Sequence, residues 1–167
     1  TATSKHMIYY YFGSKDGLYA AVLQRVYADF RSVEDDTDKE FADPLEALAV
    51  LVGSSFDSHV NNPERVRILM SENLDHGRHA RDIDQSAQRE LVVQTLGRIL
   101  NRGEALGVIR GGIEPIQLHM SISALAFYFV SNAHTFSRVF AIDMSSTESK
   151  AARRAEVVET IMSRCRA

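Results

Sequence analysis

Apolar residues recur along most of the chain at intervals of three and four positions, which is the period of one face of an α-helix. Stretches that alternate every second residue, as half-buried β-strands do, are few. The pattern predicts seven helices, over about 4–11, 15–33, 44–61, 63–76, 79–106, 115–136 and 149–164. We therefore predict an all-α fold.

The boundaries of these helices are marked by cap residues, prolines and glycines. The segment 43–46 combines an aspartate N-cap, a proline in the first turn and a glutamate in the capping-box position. The segment 62–64 repeats the cap and the proline, and Gly77 and Gly107 are placed to end the two helices that follow. The segment 34–40 is rich in acidic residues, and we predict a solvated linker or a frayed helix end there.

The first residues of the chain carry a dense aromatic pattern. A helix that begins after a Ser4 cap would place Ile8 and Phe12 on one face, where they can anchor a small core. The opposite face would present basic, imidazole and phenol groups, which suit contacts with phosphates and base edges. Its residues are Lys5, His6, Met7, Tyr10 and Tyr11. Gly13 would follow the helix and Ser14 would cap the next one; a packed aromatic corner is the structural alternative.

The order S-K-x-x-I-Y-x-Y-F-x-S-K over residues 4–15 resembles the recognition helix of the TetR family of transcriptional regulators, with the start of the helix that follows it. The resemblance implies a partial helix-turn-helix head over 1–33 and a larger ligand-binding and dimerisation bundle over 34–167. Relatives carry two helices before this point, and only three residues precede it here. We therefore expect the N-terminal helices of the head to be missing from this sequence.

The same resemblance implies which residues contact DNA. We expect base-edge contacts from Lys5, His6 and Met7, and phosphate contacts from Ser4, Tyr10, Tyr11 and Lys15. Backbone N–H groups at the start of the second helix would add to the phosphate site. Gly17 departs from the family, which often has an acidic helix former there; glycine costs about 1 kcal/mol inside a helix and less in a first turn.

The distribution of charge supports a DNA-facing head. The net charge is −3, but residues 1–31 contain four basic and two acidic residues, so this part carries +2 and the remainder −5. A small basic head on an acidic body is a common arrangement in DNA-binding proteins. The single cysteine excludes an internal disulfide. No apolar run approaches the ~18 residues of a membrane span, and nothing at the N-terminus resembles a signal peptide. We therefore expect a cytoplasmic protein without a membrane partner.

The helices over 115–136 and 149–164 carry a wide apolar surface that can form either the core of one chain or a dimer seam. Small residues between the apolar ones would allow a close approach of helices. In the TetR family these two helices form a four-helix dimer interface, so the resemblance implies a homodimer. The implied seam residues are Ile122, Leu125, Phe129, Val130, Val158, Ile161 and Met162.

The resemblance also implies a pocket for a small-molecule effector among the middle helices. Candidate lining residues mix aromatic, apolar and polar character, and ordinary core packing is the alternative for each. They are Phe56, His59, Met70, Asn73, Leu74, Leu96, Leu100, Phe127 and Tyr128. Asn73 is notable because a buried amide must find hydrogen-bond partners.

Metal binding and catalysis are not predicted. Glu72, His76 and His79 have a spacing that could chelate a metal on one continuous helix, but Gly77 should break that helix and leave a polar turn. Cys165 lies in a charged tail, and the sequence has no G-x-S-x-G turn, glycine-rich phosphate loop or HExxH motif. We therefore predict a protein that is not an enzyme and has no cofactor.

Together these patterns favour a ligand-responsive repressor that binds a palindromic double-stranded DNA operator as a homodimer and is released by a small-molecule effector. The alternative is a helical small-molecule-binding or protein-interaction module without a DNA role. That module would use the apolar surface over 118–136 for a different partner.

Overall fold

The computed structural model describes residues 5–31, 41–83 and 86–167. Within these residues the chain forms α-helices, one 3₁₀ turn at Ala80–Asp82 and a single isolated β-bridge between Ile109 and Arg166. The helices are α1 Lys5–Phe12, α2 Lys15–Arg31, α3 Pro44–Asn61, α4 Pro63–Leu74, α5 Ser86–Ala105, α6 Pro115–Ser131, α7 Ala133–Phe140 and α8 Thr147–Cys165. The all-α prediction is confirmed. We call α1 and α2 the head, and α3 to α8 the body.

The cap signals place the starts of α3 and α4 as predicted, but they do so in two different ways. The Asp43 carboxylate accepts the N–H of Leu45 at 2.9 Å, as an N-cap should. Asn62 makes no such cap for α4; its amide donates backwards to the Ser58 carbonyl at 2.8 Å instead. The rigid φ of Pro63 is the remaining start signal of α4. The acidic segment over 34–40 and the expected cap Ser4 lie outside the described residues.

Two long helices predicted from the sequence are interrupted in the structure. The predicted helix 79–106 is a 3₁₀ turn followed by α5, which begins only at Ser86. The predicted helix 115–136 ends as α6 at Ser131, and α7 begins after Asn132. At the break, the Ser131 hydroxyl and the Asn132 amide both donate to the Tyr128 carbonyl at 3.4 Å, and such side-chain bonds to the backbone compete with continuation of the helix.

The core of the body is built around α3, which packs against α4, α5, α6 and α8. Each of these neighbours except α4 contributes several fully buried apolar side chains, and the Phe56 and Phe129 rings lie 5.5 Å apart at the centre. In the head, Leu23 and Val26 are buried where α2 meets the body. None of the described helices combines the length and the apolar character that crossing a bilayer requires.

Gly103 is required where α5 turns toward α6. A Cβ atom at this position would overlap the side chain of Ile109, which is only 2% exposed and donates its N–H to the Gly103 carbonyl at 3.1 Å. The chain after Ile109 is held by the Arg110 N–H, which donates to the Cys165 carbonyl at 2.8 Å. The absence of a side chain at Gly103 therefore allows the α5–α6 turn to close on the end of α8.

Replacing Gly103 with alanine is expected to lower the free energy of unfolding by about 1–3 kcal/mol, because overpacking a filled core forces the neighbouring side chain aside. Gly97 is the matched control in the same helix: its added Cβ would meet only Pro115 Cγ at 3.8 Å. Gly97→Ala is expected to stabilise by about 0.5–1 kcal/mol through helix propensity. Urea unfolding of both variants checks this, and equal effects at the two glycines would contradict the role of Gly103.

Candidate nucleic-acid interface

Helix α1 exposes most of its aromatic side chains. Tyr10 and Tyr11 are 81% and 69% exposed and meet edge to face at a centroid distance of 5.2 Å. Met7 and Tyr9 are also exposed. A helix of eight residues with this much exposed aromatic surface is a candidate contact site for another molecule. Of the expected base-reading residues, only Met7 can be placed with its side chain.

The remaining expected contacts of this segment lie at its margin. Lys5 and His6 belong to the first turn of α1, and their side chains are outside the described residues, as is the whole of Ser4. Ile8 is half-buried and Phe12 is 42% exposed. The apolar face of α1 is therefore only partly shielded from solvent by the other described residues.

A tight turn joins α1 to α2. Gly13 adopts the left-handed conformation, with φ +71°, and donates its N–H to the Tyr9 carbonyl at 2.9 Å. The Ser14 hydroxyl accepts the N–H of Gly17 at 2.9 Å and so caps α2. Lys15 is exposed in the first turn of α2, beside backbone N–H groups that the helix itself leaves unpaired. The turn therefore places a helix N-terminus, with its unpaired backbone N–H groups, next to the aromatic face of α1.

Gly17 has a steric role that its sequence position did not reveal. A Cβ atom there would overlap the carbonyl oxygen of Phe12, which already accepts the Ser14 N–H at 2.7 Å. Helix α2 thus passes directly against the end of α1. In this chain the close approach leaves no room for a Cβ atom at position 17.

The head contacts the body at both α4 and α5, and its polar contacts with α4 can be named. Asp29 of α2 forms an ion pair with Arg65 at 3.0 Å. The Tyr19 hydroxyl donates to the Ile68 carbonyl at 3.3 Å, and the Tyr19 ring lies 4.6 Å from the ring of His79. Contacts of several kinds therefore tie α2 to α4 and to the turn that follows it.

Glu72 organises the turn after α4. Its side chain is 3% exposed and accepts the N–H groups of His79 at 2.7 Å and Ala80 at 2.8 Å, as well as His79 Nδ1 at 3.1 Å. Burial opposes ionisation, but these hydrogen bonds and the His79 charge outweigh it and lower the pKa of Glu72. The buried carboxylate thus holds the 3₁₀ turn and places His79 against Tyr19.

This arrangement replaces the chelating helix considered from the sequence. Glu72 and His79 do meet, but they bond to each other, and His76 is exposed with a left-handed backbone at φ 56°. Among the described residues, no group of three or more histidine, cysteine, aspartate or glutamate side chains is arranged to hold a metal. Cys165 is fully buried, and burial raises the pKa of its thiol, which disfavours the nucleophilic thiolate.

The nine expected effector-contact residues do not form one site. Phe56, Leu96 and Leu100 belong to the buried core. Leu74 is 81% exposed, and the exposed Asn73 satisfies its own amide by donating to the Leu69 carbonyl at 2.8 Å. Asn73 is therefore not the buried amide that would have needed a partner from another element, because its side chain turns back along α4.

The remaining effector candidates lie at the edge of the core. His59 is 7% exposed, and its Nδ1 lies 2.7 Å from the Ser55 carbonyl. Its ring faces Phe127 at 6.4 Å, while Tyr128 is 52% exposed on α6. Tyr128 lines a cavity of about 470 Å³, and Met70 lines a larger one.

That cavity, of about 810 Å³, opens between α4, the end of α6, α7 and the segment before α8. Its volume is in the range of sites for small organic ligands. Its wall is formed by Val60, Pro63, Val66, Arg67, Met70, Phe129, Val130, Ser131, Ala133, His134, Ser137, Arg138, Asp143, Met144, Ser145 and Lys150. Sequence reasoning missed most of this wall because its residues come from separate helices and a loop.

Four of the expected dimer-seam residues belong to the core of the single chain. Ile122, Phe129, Ile161 and Met162 are at most 7% exposed without any partner. A side chain that is already covered within one protomer offers a partner almost no surface. Leu125, Val130 and Val158 are half-buried against the same core.

An exposed stripe runs along the other side of α6. Ile116, Met120 and Tyr128 are 43%, 58% and 52% exposed, and the exposed Ala124 lies between the last two at the same four-residue spacing. This stripe is the part of α6 that remains available for association.

Two histidines are expected to make stability fall in mild acid. Burial lowers the pKa of His59 against the raising effect of its Ser55 hydrogen bond, and burial and the charge of His59 lower the pKa of His119. Both histidines therefore bind protons more readily in the unfolded chain than in the folded one. Their contribution to the free energy of unfolding is complete above about pH 6.5, and it is lost as the pH falls toward their lower folded-state pKa values. Urea unfolding should show the free energy of unfolding decline as the pH falls below about 6.5. His119→Gln should reduce the decline, whereas replacing the exposed His134 should leave it unchanged.

Comparison with known proteins adds evidence over most of the chain. A family model described as "Tetracyclin repressor-like, C-terminal domain" matches residues 44–161. The chain is 38% identical over 150 residues to the HTH-type transcriptional repressor NicS of Pseudomonas putida, covering 89% of this chain and 71% of that protein.

Solved structures share the fold at low sequence identity. A putative transcriptional regulator from Streptomyces coelicolor, SCO4942, has a TM-score of 0.69 at 21% identity, covering 98% of this chain and 80% of that one. SmeT, the repressor of the Stenotrophomonas maltophilia multidrug efflux pump SmeDEF, has a TM-score of 0.59 at 20% identity, covering 96% and 73%. These likenesses extend through the head as well as the body.

Proposed function

The chain belongs to the TetR family of transcriptional regulators, and we propose that it is a repressor which binds a palindromic operator as a homodimer and is released by a small-molecule effector. The family match over α3 to α8 and the repressor named above, similar over 89% of the chain, support this function. The proposal includes the division between a DNA-binding part over 1–33 and an effector-binding part over 34–167, and a cytoplasmic location, where an operator is accessible.

The observation that carries the proposal is the exposed aromatic face of α1 beside the capped start of α2. Tyr10 and Tyr11 extend from α1, and Lys15 lies at the adjoining helix N-terminus. Hydroxyl, ammonium and backbone N–H donors on one surface suit a phosphate backbone, which positions a recognition helix in the major groove. Lys5, His6 and Met7 at the start of α1 would then meet base edges.

Dimerisation is proposed through the exposed stripe of α6 and the outer face of α8. The stripe has apolar side chains at four-residue spacing, and small residues such as Ala124 and Ala155 allow two helices to approach closely. A two-fold axis at this surface would place two heads on a palindromic site about one turn of DNA apart.

The mechanism follows from the attachment of the head. An effector that prefers one arrangement of the body would shift α4, and α4 is joined to α2 through Asp29, Tyr19 and the His79 turn. A change in the tilt of α2 alters the separation of the two heads and weakens operator binding. The effector must bind the two arrangements with different affinities for this to happen.

The first test is fluorescence anisotropy of the full-length protein with fragments of DNA from upstream of its own gene, at two salt concentrations. Binding to one short palindrome that survives an excess of competitor DNA is the expected result. Equal, weak binding to every fragment at both salt concentrations would contradict the proposal and favour the helical binding module without a DNA role.

Replacing Lys15 with alanine is expected to weaken binding to all sequences alike and to flatten the salt dependence. Each phosphate contact contributes about 0.9 to the slope of log K against log salt, and a dimer would lose two such contacts. Arg153→Ala on α8 removes the same charge from the body and should leave the slope unchanged. If the Lys15 variant keeps the parent slope, Lys15 does not contact a phosphate.

A further inference from the structure

The cavity between α4 and α7 combines an apolar body with unbalanced positive charge. Eight of its sixteen lining residues are apolar, which suits a hydrocarbon or aromatic group more than a sugar or a bare ion. The apolar wall includes Val66 and Met70 from α4, Phe129 from α6 and Met144 from the segment before α8. A ligand with a single apolar body can therefore lie along this wall.

The charged part of the wall contains three cations and one carboxylate. The carboxylate, Asp143, is already engaged: its Oδ1 accepts the Ser145 hydroxyl at 2.6 Å and the Ser145 N–H at 2.9 Å. These bonds, and then the charge of Lys150, lower the pKa of Asp143. Asp143 is therefore ionised, and its charge balances one of the three cations of the wall.

The two remaining cations are Arg67 on α4 and Arg138 on α7. Among the described residues, neither has an ion-pair partner, and both line the cavity. A guanidinium group offers a planar pair of donors that matches a carboxylate in a bidentate geometry. A cavity with free guanidinium groups and no free carboxylate favours an anion over a neutral or cationic ligand of the same shape.

We infer that this cavity is the effector site and that it takes an organic acid, with its apolar body against Val66 and Phe129 and its carboxylate on Arg67 and Arg138. This inference rests on the proposed function for its regulatory meaning. The position of Arg67 links the cavity to the head, because the carbonyl of the next residue, Ile68, accepts the hydrogen bond from the Tyr19 hydroxyl. An acid held by Arg67 is therefore one residue from a contact that holds α2.

The test is calorimetric titration of the full-length protein, without DNA, with benzoate, 2-naphthoate and decanoate, each beside its neutral amide. At least one acid should bind at least 10-fold more tightly than its amide. Arg67→Gln and Arg138→Gln should each reduce that preference about 10-fold while leaving amide binding unchanged. Arg81→Gln, in the 3₁₀ turn away from the cavity, is the matched control and should keep the full preference. Circular dichroism confirms that each variant is folded.

Three outcomes would overturn the inference: none of the acids binds, an acid and its amide bind equally, or the preference survives both arginine replacements. Competition by inorganic phosphate at the same concentration as the acid would also overturn it, because the arginines would then bind any anion, with or without an apolar body. Operator binding is measured separately on the same preparation. Intact operator binding with failed acid binding contradicts only this inference, whereas absent operator binding contradicts the proposed function.

Discussion

Replacing Glu72 with alanine is expected to lower the free energy of unfolding by about 3 kcal/mol. Each hydrogen bond to a charged acceptor contributes about 1.5–3 kcal/mol, and the N–H groups of the turn can replace part of the lost bonding with hydrogen bonds to water. The N–H groups of His79 and Ala80 would lose their acceptor, and the 3₁₀ turn would no longer be fixed. His79 would then leave its place against Tyr19. The body would lose one of its connections to the head.

Two measurements and two controls make this prediction specific. Urea unfolding measures the loss of stability, and effector-induced release of operator DNA measures the coupling. Glu72→Gln keeps the shape and one acceptor oxygen, so we expect a smaller loss. Glu156→Ala removes an exposed glutamate from α8 and should change the stability by less than about 0.5 kcal/mol. A Glu72→Ala variant as stable as the Glu156 control would show that the buried carboxylate does not hold the turn.

Replacing Gly17 with alanine is expected to weaken operator binding by about 100-fold. The added Cβ would overlap the Phe12 carbonyl, so α1 must move relative to α2 or the cap at Ser14 must break. Overpacking of this kind costs about 1–3 kcal/mol, and a cost near 1.4 kcal/mol is a factor of ten for each of the two heads of the proposed dimer. Anisotropy with the operator fragment provides the measurement.

Gly97→Ala is the appropriate control for that experiment, because it makes the same chemical change in α5 without a close contact. It should bind the operator as the parent protein does. Helicity measured by circular dichroism should be unchanged or slightly raised in both variants. Parent-like affinity of the Gly17 variant would mean that the α1–α2 turn accommodates a side chain and that its geometry does not set the recognition surface.

Local signals predicted the helices well where they act within one turn. The cap at Asp43 with Pro44, and glycines at 77 and 107 in the left-handed conformation, mark boundaries through bonds between near neighbours. The break at Asn132 was not predictable in the same way, because the apolar period continues across it and the break is marked by side-chain bonds to the Tyr128 carbonyl. The role of Glu72 was hidden for a related reason: its donors lie seven and eight residues further on.

The dimer seam and the cavity were less predictable than the fold. A periodic spacing of apolar residues shows that one helix face is buried, but it does not show whether the same chain or a partner buries it. Ile122 and Ile161 have the spacing of a seam, yet α3 covers them within one chain. The cavity wall has no sequence signature, since Arg67 and Arg138 are separated by most of the body and only the packing of α7 brings them to one space. The exposed aromatic residues of α1 were identifiable because their whole pattern lies within twelve residues.

The two faces of α4 have a consequence for engineering this protein as a biosensor. On one face of α4, Arg65 and Ile68 contact the head and Glu72 holds the turn that supports it. Arg67 and Met70, which lie one or two residues away from these along the helix, line the cavity. A library on α4 would therefore change inducer preference and basal leakiness together. The α7 side chains His134 and Arg138 line the same cavity from a helix that packs on α6. With the proposed effector site in this cavity, randomising α7 is expected to change which ligand binds while the contacts between α2 and α4 are kept.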